Sequence, residues 1–565
     1  MEYKISDKAK KFTLGLAIVG IVLLVIGFFQ QKDFVYAELI DDESVKIFYN
    51  GHAGEEEQAK LEESIKEKMS DYELDFVKNH DHSQHENEHA NDHSSTHTNH
   101  DAESDHLTVD ENHDESSDDH VGHHGPTFVW EVHVKSSNHD KNHSEEHNVS
   151  DHSSNEQSTH NVDLDQHSSN NGHHGDAHHN TKSGSEVLTE MINNREISFF
   201  DSGLRRFWSN LLINGFFFFG IALGALFYLA LHYATESGWG VVLLRIFEGI
   251  MSAMPIGMAV LLLVFIVGTF EGHHIYPWMD SNIVDPDSHS FDPIIYGKTA
   301  YLNKPFFWIR VLAYFATFFL FLRWFKKKSR QEDAEGGTAT HFKMYRRAAL
   351  FLVFFAVFSS TMSWDFIMSI DTHWYSTLFG WYVFSGIWLS GMIMVMMITL
   401  YLRSQGHLPF VKESHIHDVG KWMFALSFLW SYLWFSQFML IWYANIPEEV
   451  KYFVDRIQDY KLLFFGTFVV NFVFPMVFLM SADTKRSAGY LIVIGLIIFI
   501  GHWFDVYTMV IPGTLFDQWE FGLLEIGMFM LFLGTFVYTV LRAISKAPLI
   551  QKNHPYLEES KHHEF

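Results

Sequence analysis

The chain alternates between long, uninterrupted apolar runs and short polar connections. Runs of about 20 residues, the length that crosses a hydrocarbon core roughly 30 Å thick, occupy 12–29, 207–234, 240–270, 306–325, 345–369, 379–402, 420–446, 461–481, 488–510 and 520–544. They predict ten transmembrane helices. A soluble fold would have to bury 54 Phe and 16 Trp with almost no amphipathic surface helices to cover them. The first run follows Lys4, Lys8, Lys10 and Lys11, as a secretory signal would. It is long for a signal, however, and no small-residue cleavage motif follows "IGFFQQKDF", so it reads as a span.

Basic residues of the short connections fall on one side of a ten-span arrangement. "RWFKKKSR", "KMYRR", Arg403, Lys412, Lys421, Lys485, Arg486, Arg542 and Lys546 all lie there with the N-terminal lysines. By the bias of Lys and Arg toward the cytoplasm, both termini are expected inside a bacterial inner membrane. The expected layout is a cytoplasmic N-terminus (1–11), a first span (12–29) and a periplasmic insert (30–206). A first helix bundle (207–369), a second (370–510), a last span (511–545) and a cytoplasmic tail (546–565) follow.

The insert departs from the rest. Its middle, residues 80–180, holds 23 of the 37 histidines among Asp, Glu, Asn and Ser. Such a composition buries too little apolar surface to offset chain entropy and is expected to be largely disordered. Within the insert, 125–134 alternates enough for a lone strand, and 55–69 reads as an exposed helix. Much of the net charge of −28 comes from this acidic segment, so it says little about the membrane body and offers no basic surface for nucleic acid. The irregular His spacing suits a solvated tether, or weak buffering of metal, better than a defined metal site. No cysteine is present, which excludes thiolate-held iron–sulfur clusters, c-type haem attachment and disulfides on this chain.

Charged groups inside spans are costly and mark cavities or pathways. Here they fall in two layers. His232, Arg245 and Glu248 lie near the cytoplasmic face, the last two three residues apart on one helix face. Asp365, Asp371, His373, His502, Asp505, Glu520 and Glu525 lie toward the opposite face. Imidazoles and carboxylates in series are the usual material of proton relays; helix capping and satisfied ion pairs are the plainer alternative for each. A bis-histidine haem does not suit His232 and His502 near opposite faces. A metal transporter needs several facing His and Asp near mid-membrane, where "HWFD" at 502–505 supplies a single pair.

Several long motifs carry a family likeness: "NLLINGFFFFGIALGALFYLALHYATESGWGVVLLR" (210–245), "SWDFIMSIDTHWYSTLFGWYVFSG" (363–386), "DVGKWMFALSFLWSYLWFSQFMLIWYANIPEE" (418–449), "NFVFPMVFLMSADTKR" (471–486) and "GHWFDVYTMVIPG" (501–513). In order and spacing they resemble the second polysulfide-reductase-like (NrfD-type) membrane subunit of bacterial alternative complex III, a quinol:electron-acceptor oxidoreductase of respiratory chains. The resemblance covers nearly all of 207–545 and not the insert. It implies an all-α membrane fold of two four-helix bundles related by inverted repetition, with flanking helices. It also implies partners: a paralogous membrane subunit, an iron–sulfur protein, multihaem and monohaem c-type cytochromes, and often a terminal cytochrome oxidase. The haems and clusters would sit in those partners. This chain would then be a non-catalytic subunit with no redox centre, which supports oxidation of menaquinol or ubiquinol and carries protons. Direct quinone binding is the runner-up, because the first bundle offers Asp365 but no intramembrane histidine beside it; His273 and His274 lie in a loop.

Overall fold

The computed structural model describes residues 3–29, 35–41, 44–49, 61–63, 65–66, 68–70, 72–78, 128–136, 183–193, 200–286, 288, 291–515 and 521–564. It divides into two compact units, Met1–Gln31 with Phe200–Phe565, and Lys32–Phe199.

Among the described residues, the first unit contains ten helices long and apolar enough to cross a membrane: Asp7–Phe29, Leu204–Ala234, Val241–Thr269, Lys304–Glu335, Ala339–Ile370, Phe379–Ser404, Glu413–Ala444, Lys461–Phe478, Ala488–Leu515 and Leu523–Ile544. They are the ten runs of the sequence, extended where polar residues continue a helix beyond its apolar stretch. The second and sixth form the centre, with 89% and 83% of their most apolar stretches buried. They approach closely where neither carries bulk: a Cβ on Gly224 would lie 2.6 Å from the Ile387 carbonyl oxygen, and one on Gly391 3.2 Å from the Gly224 carbonyl carbon. Small residues at such crossings let backbones meet, which drives helix association in lipid.

Two spans are not regular. The third breaks between Leu244–Met251 and Met254–Thr269, where Pro255 cannot donate to the preceding turn. The eighth contains a π-helical turn, Val469–Val473, just before Pro475. Its Asn471 is fully buried against Gly501 of the ninth span. Such single-turn bulges often mark functional positions.

The first span lies antiparallel along the tenth through glycines seven residues apart on each. A Cβ on Gly20 would sit 2.4 Å from the Leu531 nitrogen, and one on Gly527 2.4 Å from the Leu24 nitrogen. Backbone cannot yield as a side chain can. Gly527→Leu is therefore expected to separate the two helices and cost about 3 kcal/mol, the upper end for overpacking. The check is a thermal unfolding midpoint in detergent several degrees below that of Gly15→Leu, a site with nothing within 4 Å.

The second unit corrects two details expected of the insert, its lone strand and its exposed helix. Strands β1 (Val35–Asp41), β2 (Ser44–Tyr49), β3 (Tyr72–Lys78) and β4 (Phe128–Ser136) form one antiparallel sheet in the order β1-β2-β4-β3. The expected lone strand is thus an interior one, paired with β2 through Ile47↔Trp130 and with β3 through Phe76↔Val132. Val45, Ile47, Trp130, Val132 and Val134 form the core with Leu61, Ile65 and Met69 of a helical segment and Leu188 and Ile192 of helix Gly184–Asn193. Alternation puts Lys46, Glu131, His133 and Lys135 on the other face, as a half-buried sheet requires. The expected helix at 55–69 is therefore packed, not exposed, over the part described. The His-rich stretches 79–127 and 137–182 lie outside the described residues, as does Glu520.

Candidate functional site

Three carboxylates at the end of the helices that chain order joins to the insert, Asp365, Asp371 and Glu525, are held by arginines. Asp365, fully buried, accepts two bonds of 2.8 Å from Arg310 Nε and Nη2 and a third of 2.8 Å from the Tyr314 hydroxyl. Arg310 also donates to the Tyr301 carbonyl at 3.0 Å, and its guanidinium lies 3.9 Å from the centre of the Tyr301 ring. Every face of this pair is occupied. Asp371 accepts from Arg456 Nη2 at 3.0 Å. His373 meets Asp292 at 2.5 Å, while Asp292 caps the short helix Pro293–Gly297 through the Ile294 and Ile295 amides. Lys298 ties the same loop to the Thr372 and His373 carbonyls. Glu525 pairs with Arg206 at 2.7 and 2.8 Å, accepts from Asn210 and caps its own helix at Gly522. Asp365, His373 and Glu525 are thus paired and placed at turns and helix ends, the arrangement that the plainer reading of each requires.

His502 and Asp505 differ. His502 is thirteen positions before Leu515 and fourteen after Ala488, so it lies at mid-helix, because the ninth helix runs past 510. Asp505 accepts from Trp430 Nε1 at 2.8 Å and from the Tyr382 hydroxyl in a short bond. His502 Nδ1 is 3.7 Å from Asp505 Oδ2, too far for a direct bond. Among the described residues both its ring nitrogens lack a hydrogen-bond partner. A cavity of about 20 Å³ opens beside the pair, lined also by Gly386, Ser390 and Met509. A second cavity of about 20 Å³ lies between Tyr382, Gln437, Tyr452, Arg456 and Thr508. Each has room for one water molecule, and Gln437 Oε1 is a buried acceptor without a protein partner among the described residues.

The order of groups from the insert side inward is therefore Asp371, Arg456, a water-sized gap, Tyr382, Asp505, a second gap and His502. Arg456 is fixed by the Thr508 and Met509 carbonyls and lies 3.4 Å from the centre of the Tyr452 ring, itself stacked on Trp374. A hydroxyl, a carboxylate and an imidazole in series, joined by single waters, can pass a proton by successive exchange.

On the side of the termini, Arg245 and Glu248 do pair, at 2.6 Å, within a larger network. Arg245 also meets Asp333, and Glu248 accepts from Ser329 and, at 3.1 Å, from Gln551 of the C-terminal tail. His232 is buried against Gly240, its Nε2 without a partner among the described residues. The helices between these two groups meet through Phe227, Phe355, Phe384 and Trp388.

Sequence reasoning found Arg245 but missed Arg206, Arg310 and Arg456. Arg310 in "WIRVLAYF" and Arg456 in "VDRIQDY" were the available signal, since an arginine inside or beside an apolar run needs a carboxylate. Tyr382, Trp430 and Gln551 had no signal beyond composition.

His273, in the loop after the third span, turns its ring onto the Val264 carbonyl at 2.8 Å and against Trp208. Burial pushes its imidazole down to about 4, with His274 and Arg205 adding to the fall. A histidine buried neutral takes up protons only on opening, so the loop keeps its full stability above about pH 6.5, the ordinary histidine value, and loses it progressively toward pH 4. Hydrogen exchange across 270–280, corrected for intrinsic rate, is expected to rise between pH 7.5 and 5, and less so in His273→Gln.

No protein-family model matches the chain, and no curated protein matches it significantly.

Proposed function

We propose that the chain is a multi-pass subunit of an alternative-complex-III-type quinol:electron-acceptor oxidoreductase in a bacterial inner membrane. It would support quinol oxidation by carrying protons between mid-membrane and the periplasmic side. The series Tyr382–Asp505–His502 with its two water-sized gaps is the observation that carries the proton role. Positive-inside orientation and the family likeness support the membrane, the complex and its partners: a paralogous membrane subunit, an iron–sulfur protein, c-type cytochromes and a terminal oxidase. Electrons would stay on those partners, in keeping with a chain that has no cysteine.

Direct quinone oxidation here has less support. One apolar cavity, about 350 Å³ between the first, second, third and tenth spans, is lined by Leu24, Phe207, Phe218, Met528, Phe532 and like residues, with Thr535 its one hydroxyl-bearing residue. It could accept a tail but has no group to take a quinol proton. The decisive experiment is purification of the tagged chain from native membranes. Co-purifying c-type haem and quinol-dependent reduction of it support the reading; a chain that purifies alone from intact membranes sinks it.

A further inference from the structure

Three buried side chains from three separate elements converge on the side of the termini. Glu332 is in the last turn of the fourth span, His341 in the first turns of the fifth and His554 in the C-terminal tail, and all are buried. Each can place one ligand atom so that all three atoms lie within 4.8 Å of one another. Among the described residues, Glu332 Oε1, both nitrogens of His341 and His554 Nε2 have no hydrogen-bond partner; His341 Nδ1 and Glu332 Oε1 are 3.3 Å apart without bonding geometry. Such groups are seldom left together in a buried place without something between them.

Charge points the same way. Arg245 is already shared by Glu248 and Asp333, so among the described residues Glu332, fully buried, has no ion-pair partner beyond His341. Its other oxygen lies 3.3 Å from the Tyr233 hydroxyl, which is in turn 3.2 Å from Gln551 Oε1. That hydroxyl would orient the carboxylate from behind, as groups around metal ligands do. His554 is brought to the cluster by the three residues before it. Gln551 donates to Ser329 at 2.9 Å, the Lys552 amide to Asp333 at 2.8 Å and Asn553 to the Asp333 carbonyl at 2.8 Å.

We propose that Glu332, His341 and His554 form a binding site for one divalent cation of the zinc class, which fastens the tail to the hairpin of the fourth and fifth spans. Two imidazole nitrogens and one carboxylate oxygen are a donor set suited to Zn²⁺, with a fourth position left for water. Metal on Nε2 puts the ring proton on Nδ1; the 3.2 Å bond that Nδ1 accepts from the Tyr556 amide is then given up, and the turn at 554–556 adjusts. The site does not depend on the respiratory reading, since nothing in it requires quinol or electrons.

The test uses the full-length chain with whatever partners accompany it. After dialysis against a weak chelator, zinc is counted in wild type, Glu332→Gln and His341→Ala/His554→Ala. All carry the same insert histidines, so the difference reports this site alone. Wild type is expected to retain one equivalent more than either variant. Limited proteolysis within 546–563 is expected to quicken at least tenfold when EDTA strips the wild type, and to slow again on adding one equivalent of Zn²⁺. This second readout stands if a variant fails to fold. Equal zinc in all three proteins, or a tail whose cleavage ignores zinc, overturns the site and leaves a buried proton shared by Glu332 and His341 as the occupant.

Discussion

Asp505→Asn is expected to cut proton-coupled turnover of the assembled complex by roughly a hundredfold, the low end of what a positioned proton-transfer group contributes. Asparagine keeps the volume of aspartate; its carbonyl can accept from the Trp430 indole while its amide nitrogen donates to the Tyr382 oxygen, so the packing around 505 survives. It removes the one group between Tyr382 and His502 that both accepts and releases a proton at moderate driving force. Tyr382→Phe should have a smaller effect if water from the adjoining cavity reaches the carboxylate. Proteoliposomes with an internal pH dye, driven by quinol and normalised to c-type haem, give the measurement. Normal translocation by an Asp505→Asn complex with full haem content would remove the proton role, while leaving membership of the complex to the purification experiment.

The largest stability effect is expected from Arg310→Met. It strands Asp365, fully buried, beside Tyr314 with no cation, and breaking one half of a buried pair costs about 3–5 kcal/mol. Asp365→Asn leaves Arg310 charged but still able to donate to the Tyr301 carbonyl, and should cost less. The double variant Arg310→Met/Asp365→Leu should recover most of the loss, because replacing both partners by apolar groups removes the desolvation penalty with the attraction. Urea or thermal unfolding of the four proteins in detergent reads the cycle. A double variant no more stable than Arg310→Met would mean that the pair contributes specific geometry as well as charge balance.

The spans were legible because lipid imposes a simple rule: about 20 apolar residues, with all backbone bonds internal. What the rule does not carry is which polar side chains meet. Arg310 and Asp365 are 55 residues apart, Arg456 and Asp371 85, Tyr382 and Asp505 123. A one-dimensional reading therefore found the acids and missed the groups that bind them. Asp365 and Glu525 looked available for protons when seen alone. The length of the ninth helix was underread for a related reason: the apolar run at 488–510 stops short of a helix that continues through Pro512 to Leu515. In the insert, β3 and β4 pair across 79–127, where local composition dominates every window, so four short strands of ordinary alternation were read as one.

The mid-helix position of His502 has an electrical meaning. On the proton-carrying reading, with the ninth helix spanning the membrane, a charge delivered from the insert side to mid-helix crosses about half of the membrane field, whichever group delivers it. A full crossing is worth about 2.3 kcal/mol per 100 mV, so half a crossing is worth about 1.2 kcal/mol at that potential. Transfer along the series would then answer to the resting potential as well as to the quinol that drives it.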